Sequence, residues 1–360
     1  MADGTIDALG VCIALRIPVV LWGAPGTGKS SLVQGIADEL GMPCEVVISS
    51  VREPSDFAGL PVVLDGQVSF APPRWAQRLA AAGEGVLFLD ELTTAPPAVQ
   101  AALLRVVLDR VVGDLALPDA VAIVAAANPP EQASDGWDLS APLANRFVHL
   151  DWRTSASSFA SGLLADWSTS APLDVPNDWR DGLPTAQALV AAFVQSRPNL
   201  LCAVPTGADA GRAWPSPRTW STVTELWAAA SATVSEDVRA LLVQGTIGTA
   251  AAMEFLTFVS EADLVDPEHA LANPADVTIP ERADRVYAML SAIVAAVLAT
   301  NTAPRWEAAW EVLARVGGDR PDVAAMSAKL LVEHRPSKAQ VPPVVASLAP
   351  VLQRAGLLAS

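Results

Sequence analysis

Eight residues constrain this chain more than any others: Gly23-Ala24-Pro25-Gly26-Thr27-Gly28-Lys29-Ser30. Glycines and a proline crowded into Gly23 to Gly28 cannot continue a strand or a helix, so the backbone must turn there. Just upstream, Pro18 to Trp22 is a short apolar, β-branched run. Downstream, Ser30 to Leu40 places Leu32, Val33, Ile36, Ala37 and Leu40 on one helical face. Strand, glycine-rich turn and amphipathic helix, in that order, predict a parallel α/β sheet.

The pattern GxxxxGK[ST] in that setting predicts a phosphate cradle. Without Cβ atoms at Gly23, Gly26 and Gly28, the backbone of Gly23 to Ser31 can turn its N–H groups (all but Pro25 carry one) toward an anion. The helix start adds partial positive charge. Lys29 is expected to neutralise the β- and γ-phosphates and Ser30 to ligate Mg²⁺. The segment Val86-Leu87-Phe88-Leu89-Asp90-Glu91 follows, with Asp90 lying 61 residues after Lys29. A buried strand of this kind delivers Asp90 to the end of the sheet where ligands bind, as a second metal-holding group. Glu91 beside it can polarise a water for attack on phosphorus. A kinase, whose substrate brings its own hydroxyl, has no need of that second carboxylate.

Asn128 ends the apolar run Val121 to Ala127 and precedes Pro129-Pro130; it reads either as a turn starter or as a neutral amide near the γ-phosphate. Arg146 lies 18 residues further on, ahead of the apolar run Phe147 to Leu150. It reads either as a surface ion-pair residue or as an arginine that reaches a neighbouring subunit's γ-phosphate. Arg218, in Pro215-Ser216-Pro217-Arg218, stands at a helix start, where it is either an ordinary amphipathic position or a phosphate contact.

The wider pattern gives the architecture. Strand-like runs at Pro18 to Trp22, Cys44 to Ser49, Val86 to Leu89, Val121 to Ala127 and Phe147 to Leu150 are nearly continuous in apolar character, which predicts strands covered on both faces. Pro96-Pro97 opens a helix with Val99, Ala102, Leu103, Val106 and Val107 on one face. Asp65-Gly66 and, more weakly, Gly113-Asp114 sit between short runs as hairpin turns. Past Asp151 the strands give way to Ala-rich helical segments, Thr185 to Ser196, Arg218 to Ala232 and Val286 to Thr300. The expected division is 1–155 for an αβα nucleotide-binding core, with an insert at about 50–73 and a hairpin at about 109–118. A connecting segment at 156–184, a helical lid at 185–260 and a helical extension at 261–360 follow.

Composition removes several classes. Tyr287 to Thr300, the most apolar run, is shorter than the ~20 residues a bilayer requires. No signal-peptide pattern opens the chain, so a soluble cytoplasmic protein without membrane insertion is expected. The formal net charge of −16 disfavours nucleic acid as the main partner. Cys12, Cys44 and Cys202 lack metal or disulfide spacing and are expected to be small buried hydrophobes.

Taken in order, Gly23 to Ser30, Val86 to Glu91, Asn128, Arg146 and Arg218 resemble Walker A, Walker B, sensor 1, arginine finger and sensor 2 of AAA+ ATPases. Glu53 to Pro61 resembles the helix-2 insert of the MoxR group, Glu91 to Leu104 its Asp-Glu-x-x-x-Ala-Pro-Pro helix, and Ser216-Pro217-Arg218 its sensor 2 motif. Thr93-Thr94 stand where many MoxR proteins carry Asn, and nothing beyond about Glu261 matches. The resemblance implies ATP and Mg²⁺ as cofactors and a homo-oligomeric, hexameric ring with chaperone-like action on a protein. Such proteins are often paired with a von Willebrand factor A-type partner, and some are linked to metal insertion or complex maturation. A nucleic-acid motor, with Arg74, Arg78, Arg105 and Arg110 as a basic ring, and a scaffold with little hydrolysis are the alternatives. Phe57 reads as a packing residue of the insert rather than as a substrate grip.

Overall fold

The computed structural model describes residues 2–64, 66–129, 132, 136–164, 175–231, 234–261, 266–337, 339–340, 342–343 and 345. The described chain divides into two compact units. The first comprises Met1–Trp179 and Cys202–Ala252, and the second Arg180–Leu201 and Met253–Ser360.

The first unit opens with α1 (Ala2–Leu15), then β1 (Val19–Trp22), α2 (Lys29–Glu39), β2 (Cys44–Ile48) and the short α3 (Ser55–Ala58). The hairpin β3 (Leu60–Leu64) and β4 (Gln67–Ala71) is followed by α4 (Arg74–Ala82), β5 (Glu84–Asp90) and α5 (Pro97–Asp109). A second hairpin, β6 (Val111–Val112) and β7 (Leu115–Ala116), leads into β8 (Ala120–Ala127), α6 (Ala141–Ala144), β9 (Val148–Asp151) and α7 (Ala156–Leu164). The unit also holds α9 (Pro217–Ser231) and α10 (Glu236–Ile247).

Five strands form one parallel sheet in the order β2-β5-β8-β1-β9. Apolar side chains fill both of its faces. One face packs Val19, Leu21, Val86, Phe88 and Val124 against α1, α2 and the helices α9 and α10. The other packs Val20, Leu87, Leu89 and Ile123 against Trp75, Leu79, Leu103 and Val106 of α4 and α5. This is the architecture expected from alternating apolar runs and amphipathic helices. The strand β2 departs from it: Val46 is 36% and Ile48 43% exposed, alternate residues that share the face opposite the buried Val47. Leu40 also departs. It is the C-cap residue of α2, outside the helix, and its side chain is exposed rather than on the buried face.

Both predicted hairpins form, with registers Val63↔Val68 and Val112↔Leu115; Asp65 of the first turn lies outside the described residues. Phe57 is buried and tilted against Trp75, ring centroids 6.2 Å apart, which makes it a packing residue. Cys12 is buried as expected and Cys44 half-buried, but Cys202 is exposed, carried on an irregular stretch that no helix covers.

The second unit is helical. It contains α8 (Leu183–Ser196), most of α11 (Thr249–Glu261), α12 (Pro267–Ala272), α13 (Ala283–Ala299), α14 (Ala303–Gly317) and α15 (Pro321–Glu333). The apolar run Tyr287 to Thr300 lies almost wholly in α13, whose Met289, Leu290, Ile293 and Val297 are buried with Trp306, Trp310 and Leu313 of α14. Phe193 packs edge-on against Phe255 at 5.3 Å. Among the described residues no helix is long and apolar enough to cross a membrane. These units cut across the lid expected at 185–260: α8 clusters with the C-terminal helices, whereas α9 and α10 cluster with the sheet.

Candidate nucleotide site

The turn after β1 is held from below and from the side. Gly23 N donates to Ala127 O at 3.1 Å, and the Trp152 indole and Thr154 hydroxyl donate to Thr27 O at 2.9 and 3.0 Å. A Cβ on Gly23 would stand 2.6 Å from Trp152 O, so only glycine fits against that strand end. Gly28 takes φ +84 just before α2, a left-handed turn that frees the helix's first N–H groups to face outward. The cradle is thus pre-formed by backbone geometry, with Ala24, Pro25, Gly26, Thr27 and Ser31 completing it.

Three predicted residues meet around Lys29. Its buried ammonium donates to Gly23 O at 2.7 Å, Ala24 O at 3.0 Å and Asn128 Oδ1 at 3.0 Å. Burial lowers its pKa from the usual lysine value, and the Asp90 carboxylate opposes that shift. A charge held by three neutral acceptors in a partly dry site is poised to exchange them for phosphate oxygens. Ser30 Oγ donates to Asp90 Oδ2 at 2.7 Å, so the helix start and the end of β5 bring a hydroxyl and a carboxylate together. This all-oxygen pair, one carboxylate and one hydroxyl beside a phosphate cradle, suits Mg²⁺, which takes few protein ligands and draws the rest from phosphates and water.

Glu91 sits next in line in a left-handed conformation, φ 54, unusual for a residue with a side chain. Its N–H donates to Asp90 Oδ1 at 2.9 Å, and Thr94 Oγ1 donates to its carbonyl at 2.8 Å. The turn lets its carboxylate accept a hydrogen bond from Ser50 Oγ, just past β2. Thr93, 1% exposed, donates to Asn128 O at 3.1 Å and accepts from Asn128 N at 3.2 Å. It therefore ties the Glu91 turn to the end of β8. Sequence reasoning gave Ser50 no role; a serine after an apolar strand has no local signature, and only the sheet order reveals that β2 and β5 end side by side.

Arg146 and Arg218 lie elsewhere. The register Val19↔Val148 and Trp22↔Asp151 puts the cradle at the carboxyl end of β1, while Arg146 precedes the amino end of β9. The strand alone spans on the order of 10 Å. Arg146 donates to Pro142 O, leaving its buried Nε without a partner. Burial lowers its pKa from the usual arginine value, the nearby Arg218 lowers it further, and Asp109 acts the other way. The exposed Arg218 and Arg146 form no ion pair among the described residues. The two guanidiniums thus act on each other, with the Asp109 carboxylate partly offsetting the repulsion at Arg146. By contrast, Arg78 is engaged by Glu45 at 2.6 Å, and Arg110 donates to Val121 O and Arg16 O, so neither is free for a basic ring.

A cavity of about 340 Å³ opens at the carboxyl end of β9, lined in part by Thr5, Asp151, Arg212, Gln244 and Gly248. Its floor is a polar network. Trp22 Nε1 donates to His149 Nδ1 at 2.9 Å, and the ring's other nitrogen lies 2.9 Å from Ala144 O. That pattern assigns the Nε2–H tautomer. Burial pushes the His149 pKa down to about 4, so the ring is neutral. Arg212 stacks 3.7 Å over the Trp22 ring and pairs with Asp151 at 3.5 Å.

Fold and site together have the form of a P-loop nucleotide-binding domain. Residues 18–147 match the family model of the AAA domain, dynein-related subfamily, which spans the cradle, both carboxylates, Asn128 and Arg146. No curated protein matches the chain. Among solved structures, a candidate ATPase from Cytophaga hutchinsonii is similar at 15% identity and TM-score 0.49, over 72% of this chain and 88% of that one. A full-length MCM homolog from Methanopyrus kandleri is similar at 19% identity and TM-score 0.40, over 70% of this chain and 54% of that one.

Proposed function

We propose that this chain is a Mg²⁺-dependent ATP hydrolase of the MoxR type, assembling in the cytoplasm into a ring of about six subunits that remodels or matures a protein partner. A von Willebrand factor A-type protein is the expected partner class. In this reading the cradle and Lys29 hold the β- and γ-phosphates, and Ser30 and Asp90 are the side chains that would hold Mg²⁺. The metal supplies charge neutralisation at the phosphates. Glu91, released from Ser50, accepts the proton of the attacking water, and Asn128 turns its amide from Lys29 toward that water. The cavity beside β9 takes the nucleoside, with Asp151 and Gln244 available to a base edge.

The observation that carries the reading is the separation of Arg146 from its own cradle by the full length of β9. An arginine there cannot serve the phosphates of its own chain, whereas the same arginine on a neighbour can. The acidity of the chain and the engagement of Arg78 and Arg110 favour a protein over nucleic acid as the thing acted upon.

The test is phosphate release from ATP with no acceptor present, together with the solution mass of Glu91→Gln with and without ATP–Mg²⁺. Phosphate release and a shift to about six subunits support the proposal. A protein that binds ATP yet releases no phosphate, alone or at high concentration, leaves a scaffold; a persistent monomer that hydrolyses removes the ring.

A further inference from the structure

Asn145 stands between two segments that lie far apart in sequence. Its side chain is 4% exposed, and each end of the carboxamide is used. The Nδ2 group donates to Trp214 O at 3.0 Å, and Oδ1 accepts from Ser216 Oγ at 2.8 Å. Ser216 is itself buried and immediately precedes α9: its hydroxyl accepts from Thr219 N at 3.2 Å, and its N–H donates to Thr219 Oγ1 at 2.8 Å. The partners are separated by 69 and 71 residues, so this is a tertiary tie and not a turn. Arg146 is the next residue after Asn145, and Arg218 follows Ser216 by two.

We infer that Asn145 is a positioning residue that fastens the loop bearing Arg146 to the head of the helix bearing Arg218, so that both guanidiniums meet a neighbouring subunit's nucleotide as one unit. The inference rests on the proposed action of Arg146 on a neighbour. The chemistry explains why an amide is needed. Two neighbouring guanidiniums repel each other, so an unfastened pair would spread apart. A carboxylate at position 145 would still accept from Ser216 but would set an acceptor against Trp214 O. An apolar residue would remove both bonds of the tie, leaving Trp214 O and the Ser216 hydroxyl with longer contacts to Thr219 Oγ1, at 3.2 and 3.3 Å. The plainer alternative is that Asn145 only satisfies buried polar atoms, in which case the function of its own cradle should suffer with the fold.

The two readings separate in trans. Asn145→Ala and Asn145→Asp full-length chains are measured for ATP–Mg²⁺ affinity, kcat and KM, then mixed with Lys29→Ala chains, which have an intact arginine corner but no working cradle. Arg146→Ala mixed with Lys29→Ala runs alongside. The expected result is ATP affinity and KM within about twofold of wild type, kcat reduced about 10- to 100-fold as for displaced catalytic groups, and recovery of hydrolysis on mixing with Lys29→Ala. Recovery by the Arg146 mixture but not by the Asn145 mixtures overturns the inference while leaving Arg146's role intact. Failure of both, with mixed assembly shown by mass, overturns the trans reading and the inference with it. Unchanged kcat, or loss of ATP binding by both Asn145 variants, also overturns the inference.

Discussion

At the carboxyl ends of β1, β5 and β8 each charged side chain of the site already has partners from its own chain. Lys29 rests on two carbonyls and Asn128, Asp90 on Ser30, and Glu91 on Ser50. At the amino end of β9 the arrangement differs: among the described residues the Arg146 guanidinium donates to the Pro142 carbonyl and forms no ion pair, and Arg218 depresses its pKa while Asp109 acts the other way. The contrast separates two kinds of readiness. The cradle is self-complementary, a set of donors and acceptors that a phosphate and a metal would re-pair. The arginine corner holds no such matched set of hydrogen-bonded charges, and in the proposed ring its partner is the nucleotide of a neighbouring subunit. On that proposal one chain carries two half-sites at opposite ends of its sheet.

Substitutions at each end should separate accordingly. Lys29→Ala removes the charge around which the cradle is built, and should weaken ATP binding by about 100-fold or more, read by equilibrium titration with Mg²⁺ present. Retained tight binding would mean that the cradle is misassigned. Glu91→Gln should leave binding within a few-fold and cut single-site turnover by about 10²-fold or more. Arg146→Ala should behave differently from both: ATP affinity unchanged, turnover of the assembled protein down by about 10³-fold or more, as for a missing arginine of this kind. If its loss instead falls on affinity, the corner belongs to its own chain's nucleotide, and the separation of the two ends fails.

A smaller effect concerns the strand order. Ser50→Ala frees Glu91 from its resting contact, and should raise turnover without ligand partners by a few-fold, about what one hydrogen bond of modest strength allows. A fall in turnover would show that Ser50 instead aims the carboxylate for catalysis. The smallest is a stability effect. His149 is neutral when folded, with a pKa of about 4, against an ordinary value of 6.5. The unfolded chain therefore binds a proton that the folded chain refuses. Stability from this group is full above pH 6.5 and is lost as pH falls toward 4, to a limit of about 3 kcal/mol. Thermal melts at pH 7 and pH 5 should differ less in His149→Gln than in the wild type. An identical acid shift would place the sensitivity elsewhere.

How far the sequence carried this account depends on the range of each interaction. The cradle, the β5 carboxylates and the hairpins are encoded in contiguous residues, so Gly23 to Ser30, Val86 to Glu91 and the Gly66 and Gly113 turns were legible. The edge position of β2 was not, because an apolar run such as Cys44 to Ser49 looks the same in the middle of a sheet and at its rim. The first helix was missed as well: Ala2 to Leu15 is buried on several sides and shows little contrast between faces. Asn145 with Ser216, Ser50 with Glu91 and Thr93 with Asn128 are hydrogen bonds between residues 35 to 71 positions apart. No local pattern announces such pairs. The grouping of α8 with the last helices depends likewise on contacts such as Phe193 with Phe255, which periodicity within one helix cannot reveal.

Whether a second chain completes the site is read from specific activity against protein concentration. With saturating ATP–Mg²⁺, phosphate release per subunit should fall on dilution in step with the measured mass, while Arg146→Ala stays low throughout. Constant activity per subunit down to concentrations where only monomer is present would contradict the account, since the cradle would then hydrolyse ATP without an arginine from a neighbour.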